Sequence, residues 1–597
     1  MKKIDLRDGT ILLGLLIVLS SLIFLVGLET KETLKALALG FFGIFGLLYS
    51  THIFGHLLAG RLEKVKYRSV NKRSPEPMDE KDVERLDWDV IVIGSGISGM
   101  TTAVGLANEG KKVLILEQHY IPGGYATCFK RKGFTFEVSL HQTSGLGHGQ
   151  TLNMILTELG VMDKITPIKL KETMLIKTPR GNLSMGADYL DQLRKMFPNE
   201  VTGLNQLDNI IDNIMAEMTK VMKLSMLPAP VFNLFGRFFA PTVYKYRNKT
   251  LAECLDELFT DPLLKQLVAV QWGYFGLPLG KISSVLYLLG WGGFLKEGIY
   301  YIKGTSQSLS NAFIDRLEEL GGQLLVRQRV EKIVIENNRA VGVLSRKVKK
   351  DGMGETYEFR APVIISNANP FLTFNDLVGR ENLPHTIFKK MEKMEASSSA
   401  LVVYIGLDCP LRSLTNDKFH SIMYIKDENL DFDRVFQEIK EGRYKGMVGI
   451  TDYSSINSSL APQGKTSMVL INSDFMKNWE GLSDEEYRNK KKETTEEILS
   501  AVESNFPGFR DHIEVMEVAT PHTMARYTSN YEGAFNGFAY TTDRVGMGKG
   551  GLNIKSPLKG LYMSSAWIGA TSGGYYGCIT NGYMAAKVIS RTANWKR

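Results

Sequence analysis

Three glycines, Gly94, Gly96 and Gly99, stand in the order Gly-x-Gly-x-x-Gly, and an acid, Glu117, follows 117 − 94 = 23 positions after the first. That combination suits the holding of a dinucleotide. The first glycine permits a sharp turn, the second lets bare backbone approach a pyrophosphate, and the third lets a helix pack close to its strand. The acid lies near the distance at which a carboxylate meets ribose hydroxyls. Ahead of the glycines, Val90-Ile91-Val92-Ile93 is short, apolar and β-branched, as a strand buried on both faces requires. Behind them, Met100 to about Glu109 is compatible with a helix, and Gly110 suits its end. Val113-Leu114-Ile115-Leu116 then reads as a second strand that delivers Glu117. The free N–H groups at the helix start would face the phosphates.

The fingerprint alone does not separate FAD from NAD; the rest of the chain does. Gln118 follows the acid, and Gly123-Gly124 stand where bare backbone would pass a pyrophosphate. A chain that returns to the same nucleotide at its end is typical of flavin folds. The stretch "GLYMSSAWIGATSGGYYGCITNGYMAAKVISR" (560–591) does so, with a strand-like Leu561–Ser564, a Gly-rich loop and a helix-compatible run from about Tyr576 to Ser590. A helix start aimed at the flavin N1–C2 carbonyl stabilises the negative charge of the reduced ring. FAD is therefore the expected cofactor. No second Gly-x-Gly-x-x-Gly follows a short apolar, β-branched run, and "GLPLGKI" (276–282) lacks the spacing of a phosphate loop. An external electron donor or acceptor, whether a quinone, a soluble carrier or NAD(P)H, must then reach the same flavin.

With these residues the sequence resembles the phytoene desaturase, carotenoid isomerase and retinol saturase group of FAD-dependent enzymes. "VLILEQHYIPGGYATCF" (113–129) looks most like the retinol saturase branch. The resemblance runs from about 87 to 590 and takes in 300–343 and "APVIISNANP" (361–370). It implies an α/β fold: a Rossmann-like FAD-binding domain from 87–150, 291–380 and 546–597, and a mixed α+β substrate domain from 151–290 (largely helical) and 381–545. It also implies that Val330 lies beside the adenine and binds it through backbone atoms. The cofactor set is thus Gly94, Gly96, Gly99, Glu117, Gln118, Gly123, Gly124, Val330, Ala566 and Gly577. His141, in "SLHQTSG", matches the family's "GIHYIG" position and is the catalytic acid/base choice. Three positions depart from the pattern: Tyr125 replaces an arginine, Phe136-Glu137-Val138-Ser139 replaces "fDxG", and Ser565-Ala566-Trp567 replaces Gly-x-Asp. The last removes the usual carboxylate beside the flavin phosphates or ribityl chain.

At 597 residues the chain exceeds one compact core, so two or three domains are expected. The four cysteines, Cys128, Cys254, Cys409 and Cys578, form no Cys-x-x-Cys pair, so neither a metal site nor a disulfide framework is expected. The net charge of +8 is mostly dispersed, without a basic stripe interleaved with aromatics; nucleic-acid binding is not expected.

The N-terminus meets a different solvent. Residues 11–28 and 34–58 are apolar runs, read as a two-helix transmembrane hairpin. Lys2, Lys3 and Arg7 precede it and Arg61, Lys64, Lys66, Arg68, Lys72 and Arg73 follow, against Lys31 and Lys35 between. Both ends should face the cytoplasm, placing the catalytic domain there (at the endoplasmic reticulum in a eukaryote), with 61–86 as a basic, polar linker.

Met215, Met218, Met222 and Met226 recur at helical spacing, followed by Phe232, Phe235, Phe238 and Phe239. They read either as a core stripe or as an adaptable entrance for lipid from the bilayer. The expected reaction is hydride exchange at flavin N5 with a C=C bond of a hydrophobic isoprenoid lipid, carotenoid- or retinoid-like, by saturation or desaturation. Alternatives are redox-neutral cis–trans isomerisation of a polyene with reduced FAD, and a non-catalytic flavin-binding lipid carrier.

Overall fold

The structure, a computed structural model, describes residues 87–595 except 225–235, 416, 445–447, 546–550 and 570–572. The expected hairpin and linker lie outside the described residues, as do Met226, Phe232 and Phe235 and the side chain of Met222. Among the described residues, no helix is long and apolar enough to cross a membrane.

Val90–Ile93 is buried along its whole length. It pairs in parallel with Val113–Glu117 on one side and Val363–Ser366 on the other. Gln323–Val326 and Leu561–Met563 complete a five-stranded parallel sheet, so strands more than 400 residues apart lie within one layer. Side chains alternate between two cores, as the pleat dictates. Val90, Val92, Val113 and Ile115 pack with Met100 and Val104 of one helix and Phe313 of another. Ile91, Ile93, Leu114 and Leu116 pack with Val330, Ile333 and Phe359 of a three-stranded antiparallel sheet, Gln328–Glu336, Arg339–Lys349 and Gly352–Arg360. A strand with both faces covered has no polar face, which is why its sequence shows no alternation.

The opening helix is Ile97–Asn108, three residues earlier than the run from Met100 suggested. Gly96 is already extended as its N-cap, and helical backbone begins at once. The closing helix, Gly574–Thr592, lies against it. That approach needs small residues: a Cβ on Gly105 would stand 2.7 Å from the Ala586 Cβ, and one on Gly582 2.5 Å from the Ser98 carbonyl oxygen.

A second, seven-stranded sheet runs in the order Ile513–Ala519, Ser399–Leu407, Thr466–Asp474, Gly449–Asp452, Ser421–Tyr424, Glu172–Thr178 and Gly181–Gly186. In Ser399–Leu407, Leu401, Val403 and Ile405 face a core shared with the helices Leu251–Leu258 and Ser284–Lys296. Val402 and Tyr404 face the core of the opening helix. Residues 151–290, expected to be largely helical, also contribute the hairpin Glu172–Thr178 and Gly181–Gly186 to this sheet. One fully buried strand thus joins the second layer to the first.

Candidate active site

The C-terminal ends of the parallel strands carry the turns that build the site. After Ile93 the chain reverses through Gly94, whose φ of +91° an L side chain rarely adopts. Ser95 then fixes three segments. Its N–H and hydroxyl both donate to Glu117 Oε2, at 2.8 and 2.6 Å, and its hydroxyl accepts the Gly123 N–H at 3.2 Å. Glu117 Oε1 accepts the His119 N–H at 2.8 Å, so the carboxylate is oriented from both sides. Gly123 and Gly124 have φ of +126° and +61°, and Gly123 bridges to Gly96 as an isolated parallel pair.

Gly96 and Gly99 owe their smallness to a residue the sequence motif does not contain. A Cβ on Gly96 would stand 2.5 Å from Asn367 Oδ1, and one on Gly99 2.8 Å from the Asn367 Cβ and Cγ. Gly99 thus serves packing rather than the cavity wall; the other expected cofactor residues all line one cavity of about 1500 Å³. Val330 joins it at a bulge in Gln328–Glu336, where the ladder skips between Val330 and Lys332 and leaves backbone outside regular pairing. Gln118 lines it too, with its amide tied to Ser529 Oγ at 3.0 Å. From the chain's end, Ala566 and Gly577 reach the same space.

Neither the helix starting at Ile97 nor the one starting at Gly574 has a side-chain cap, and both begin in the cavity wall. Two helix starts, an oriented acid and bare glycine backbone along one cavity fit an extended anionic dinucleotide with a redox ring at its far end. FAD is such a group.

The departures from the family pattern have physical roles. The Tyr125 hydroxyl donates to the Gly533 carbonyl at 3.1 Å, linking the glycine pair to 528–534. Glu137 is buried among donors: the N–H groups of Val138, Ser139, Leu140 and Ser306 and the hydroxyls of Ser306 and Tyr301. Burial raises its pKa, against the pull of those donors. The Trp567 indole donates to Asn530 Oδ1 at 3.0 Å.

Beyond the nucleotide end, the cavity continues between Met215, Met218, Leu286, Leu289 and Phe294. His141 is buried in its wall, with Nδ1 3.0 Å from the Tyr274 hydroxyl. Burial lowers the His141 pKa to about 4 and raises that of Tyr274. The imidazole is therefore neutral near pH 7. Gln142 Nε2 donates to the same Tyr274 hydroxyl at 3.3 Å, which leaves the phenol proton available to His141 Nδ1 in the tautomer protonated on Nε2. The cavity wall also holds Ser95, Asn367, Tyr274 and Gln142, which the sequence reading did not single out. Asn367 carried one usable signal, its place directly after a buried apolar strand. Phe238 and Phe239, expected in a core or an entrance, are exposed.

Outside the cavity wall, Asp408, Cys409 and His512 bring ligand-type atoms within 4.8 Å of one another, with His512 Nδ1 2.8 Å from Asp408 Oδ1. The chain spacing did not suggest this grouping, because Asp408 and Cys409 follow one strand and His512 precedes its neighbour.

A family model described as flavin containing amine oxidoreductase matches residues 97–590. Prolycopene isomerase 1, chloroplastic, of an Oncidium hybrid cultivar is 28% identical over 474 residues, 76% of each chain. All-trans-retinol 13,14-reductase of Danio rerio is 25% identical over 537 residues, 84% of this chain and 86% of that one. Among solved structures, cyclohexylamine oxidase from Brevibacterium oxydans aligns with a TM-score of 0.54 at 14% identity, over 85% of this chain and 99% of that one. At that identity it shares the fold alone.

Proposed function

Because the chain belongs to the flavin containing amine oxidoreductase family and takes FAD as its cofactor, we propose that this oxidoreductase saturates or desaturates a C=C bond of an isoprenoid lipid. The carrying observation is the cavity itself: it runs without interruption from the Gly94–Ser98 turn to an apolar chamber walled by Met215, Met218, Leu286 and Phe294. A polyene offers few polar handles, so such a chamber binds it by apolar area, about 25 cal/mol per Å². The names of two relatives, a prolycopene isomerase and an all-trans-retinol reductase, point to the same substrate class.

When bound, FAD supplies two-electron hydride exchange at N5. The chain does the rest. Gly94, Gly96 and the first turn of the opening helix would hold the phosphates, Glu117 the ribose, the Val330 backbone the adenine, and the start of the closing helix the ring. Methionine and phenylalanine walls exclude water from the chamber. His141 and Tyr274 move the proton that saturation adds and desaturation removes, with the Tyr274 hydroxyl at His141 Nδ1. The N-terminal apolar runs support a bilayer-bound enzyme whose catalytic domain faces the cytoplasm, with a quinone, soluble carrier or NAD(P)H serving the flavin.

A second reading, redox-neutral cis–trans isomerisation, is favoured by the buried, neutral His141: in its surroundings a full proton transfer is hard. Anaerobic incubation of the reduced holoenzyme with a polyene separates the two. A product heavier by two hydrogens, with the flavin reoxidised, supports saturation. A geometric isomer of unchanged mass supports isomerisation. A polyene bound but unaltered under both oxidised and reduced conditions leaves only a carrier.

A further inference from the structure

Among the described residues, Asp408, Cys409 and His512 are the one group of three metal-ligand side chains whose donor atoms lie within 4.8 Å of one another. They stand outside the cavity wall, so the proposed flavin chemistry makes no use of them. Each offers a different donor: a carboxylate oxygen, a thiol sulfur and an imidazole nitrogen. Asp408 and Cys409 follow the strand Ser399–Leu407, and His512 directly precedes its neighbour Ile513–Ala519. Leu407 pairs with Ile513, which brings side chains 104 positions apart to one end of the ladder.

The backbone beneath the three is fixed. The Asp408 N–H donates to the His512 carbonyl at 3.0 Å, and the Thr466 hydroxyl donates to the Cys409 carbonyl at 2.9 Å. Pro410 follows and keeps Cys409 away from helical backbone. The side chains remain reachable: those of His512 and Asp408 are 38% and 52% exposed. Among the described residues no lysine or arginine forms an ion pair with Asp408; its carboxylate meets His512 Nδ1 at 2.8 Å.

Donor spacing and donor type decide what such a group can hold. A four-coordinate ion with bonds of about 2.0–2.3 Å keeps its donors about 3.3–3.8 Å apart. The 2.8 Å pair and the 4.8 Å limit lie on either side of that spacing, so small side-chain rotations close the group around one ion. Calcium and magnesium take oxygen ligands, which this set does not supply. A thiolate, an imidazole and a single carboxylate suit zinc, with water in the fourth position because the group faces solvent.

We propose that Asp408, Cys409 and His512 bind a zinc ion that clamps two neighbouring strands of the seven-stranded sheet at one end. The ion takes the place of the hydrogen between Asp408 and His512, the imidazole carries its proton on Nε2 instead, and the Cys409 thiol releases one proton to solvent. Ala400, Val402, Val518 and Ala519 of the same two strands line the cavity, so the ion steadies that wall without entering it. The site is independent of which reaction the cavity performs.

The test uses the full-length, FAD-loaded protein, with cobalt(II) as a coloured stand-in for zinc. One cobalt per chain should give thiolate charge-transfer absorption and strong tetrahedral bands to the red of the flavin, and zinc should displace it. Cys409→Ser and His512→Asn should each weaken binding at least about tenfold, with flavin content unchanged. In the parent protein alone, zinc should shield Cys409 from iodoacetamide, read by peptide mass spectrometry, so the outcome does not depend on a variant folding. Absence of cobalt binding, weak octahedral bands only, or binding unaltered by either substitution overturns the site. Alkylation of Cys409 at the same rate in excess zinc overturns it as well.

Discussion

Asn367 Oδ1 accepts the Gly96 N–H at 2.8 Å and stands 2.5 Å from where a Cβ of residue 96 would lie. Its Nδ2 donates to the Ser564 carbonyl at 2.6 Å. One side chain therefore joins the ends of three neighbouring parallel strands: the first turn, its own strand and the closing segment. The second glycine of the motif is needed here as much for Asn367 as for a phosphate.

Asn367→Ala should therefore loosen the cradle from inside. It leaves the Gly96 N–H and the Ser564 carbonyl without this partner, about 1–3 kcal/mol of stability for each buried group. Flavin affinity should fall at least about tenfold, read by equilibrium release of FAD. Gly96→Ala should do the same in the parent, but cost clearly less on top of Asn367→Ala, because the clash has been removed. Strictly additive losses would show that the two residues act apart.

Glu137 is a buried carboxylate surrounded by donors and, among the described residues, without a cation in contact. Glu137→Gln keeps the shape but turns one oxygen into an amide group facing donors such as the Ser306 N–H. A loss of about 2–4 kcal/mol in denaturant unfolding is expected, from one broken set of charge-assisted bonds and one buried mismatch. Near-parental stability would mean that Glu137 is already protonated and sharing a proton.

His141 makes stability depend on acid. An unfolded histidine titrates near pH 6.5, whereas burial lowers His141 to about 4. Between those values the unfolded chain binds a proton that the folded chain refuses. The contribution of His141 is thus intact above about pH 6.5, falls on acidification, and levels off below about 4, a total on the order of 3 kcal/mol. His420, also lowered to about 4, adds in the same direction. Asp452, raised to about 6, and Glu137 work against it, since their charged forms are the ones burial penalises. The measurement is therefore a difference: parent minus His141→Asn stability at pH 7, 5.5 and 4.5 should decline steadily. A flat difference would show that His141 is solvated.

Tyr274→Phe tests the proton relay without removing the imidazole. It deletes the hydroxyl that meets both His141 Nδ1 and Gln142 Nε2. Turnover of a bound polyene should fall about 10²–10³-fold, with flavin spectrum and content unchanged. His141→Ala should fall at least as far, and the double variant no further than the worse single one. Normal kinetics in both variants would remove the pair from the mechanism.

The parts of this fold that could be read in the sequence are local. Val90–Ile93, the glycine turn and Val113–Glu117 declare themselves because each is specified by neighbours in the chain. The start of the opening helix was misplaced because Gly96 and Gly99 have poor helix propensity, which an N-cap and close packing override. The Gly96–Asn367 contact spans 271 positions, and no spacing rule reaches that far. The Gln142–Tyr274 contact spans 132 positions and is equally out of reach. The methionine stripe announced an apolar face but not its neighbour; the fold turns Met215 and Met218 toward the cavity.

The chamber and its approach should be separable. Met218 lines the cavity, whereas Phe238 is 70% exposed, so the two cannot serve the same step. Met218→Trp adds bulk where the lipid chain would lie; polyene binding should fall at least about tenfold however the lipid is presented, with FAD retained. Phe238→Asp buries no charge, because the side chain already faces solvent, and unfolding should be unchanged within about 0.5 kcal/mol. If Phe238 touches the bilayer, that variant should lose turnover of vesicle-borne polyene while keeping turnover of the same polyene in detergent micelles, since only transfer from the membrane is impaired. Equal loss in both media would place Phe238 in the binding step after all. No loss in either, beside a clear Met218→Trp defect, would keep the chamber and reject this edge as its entrance.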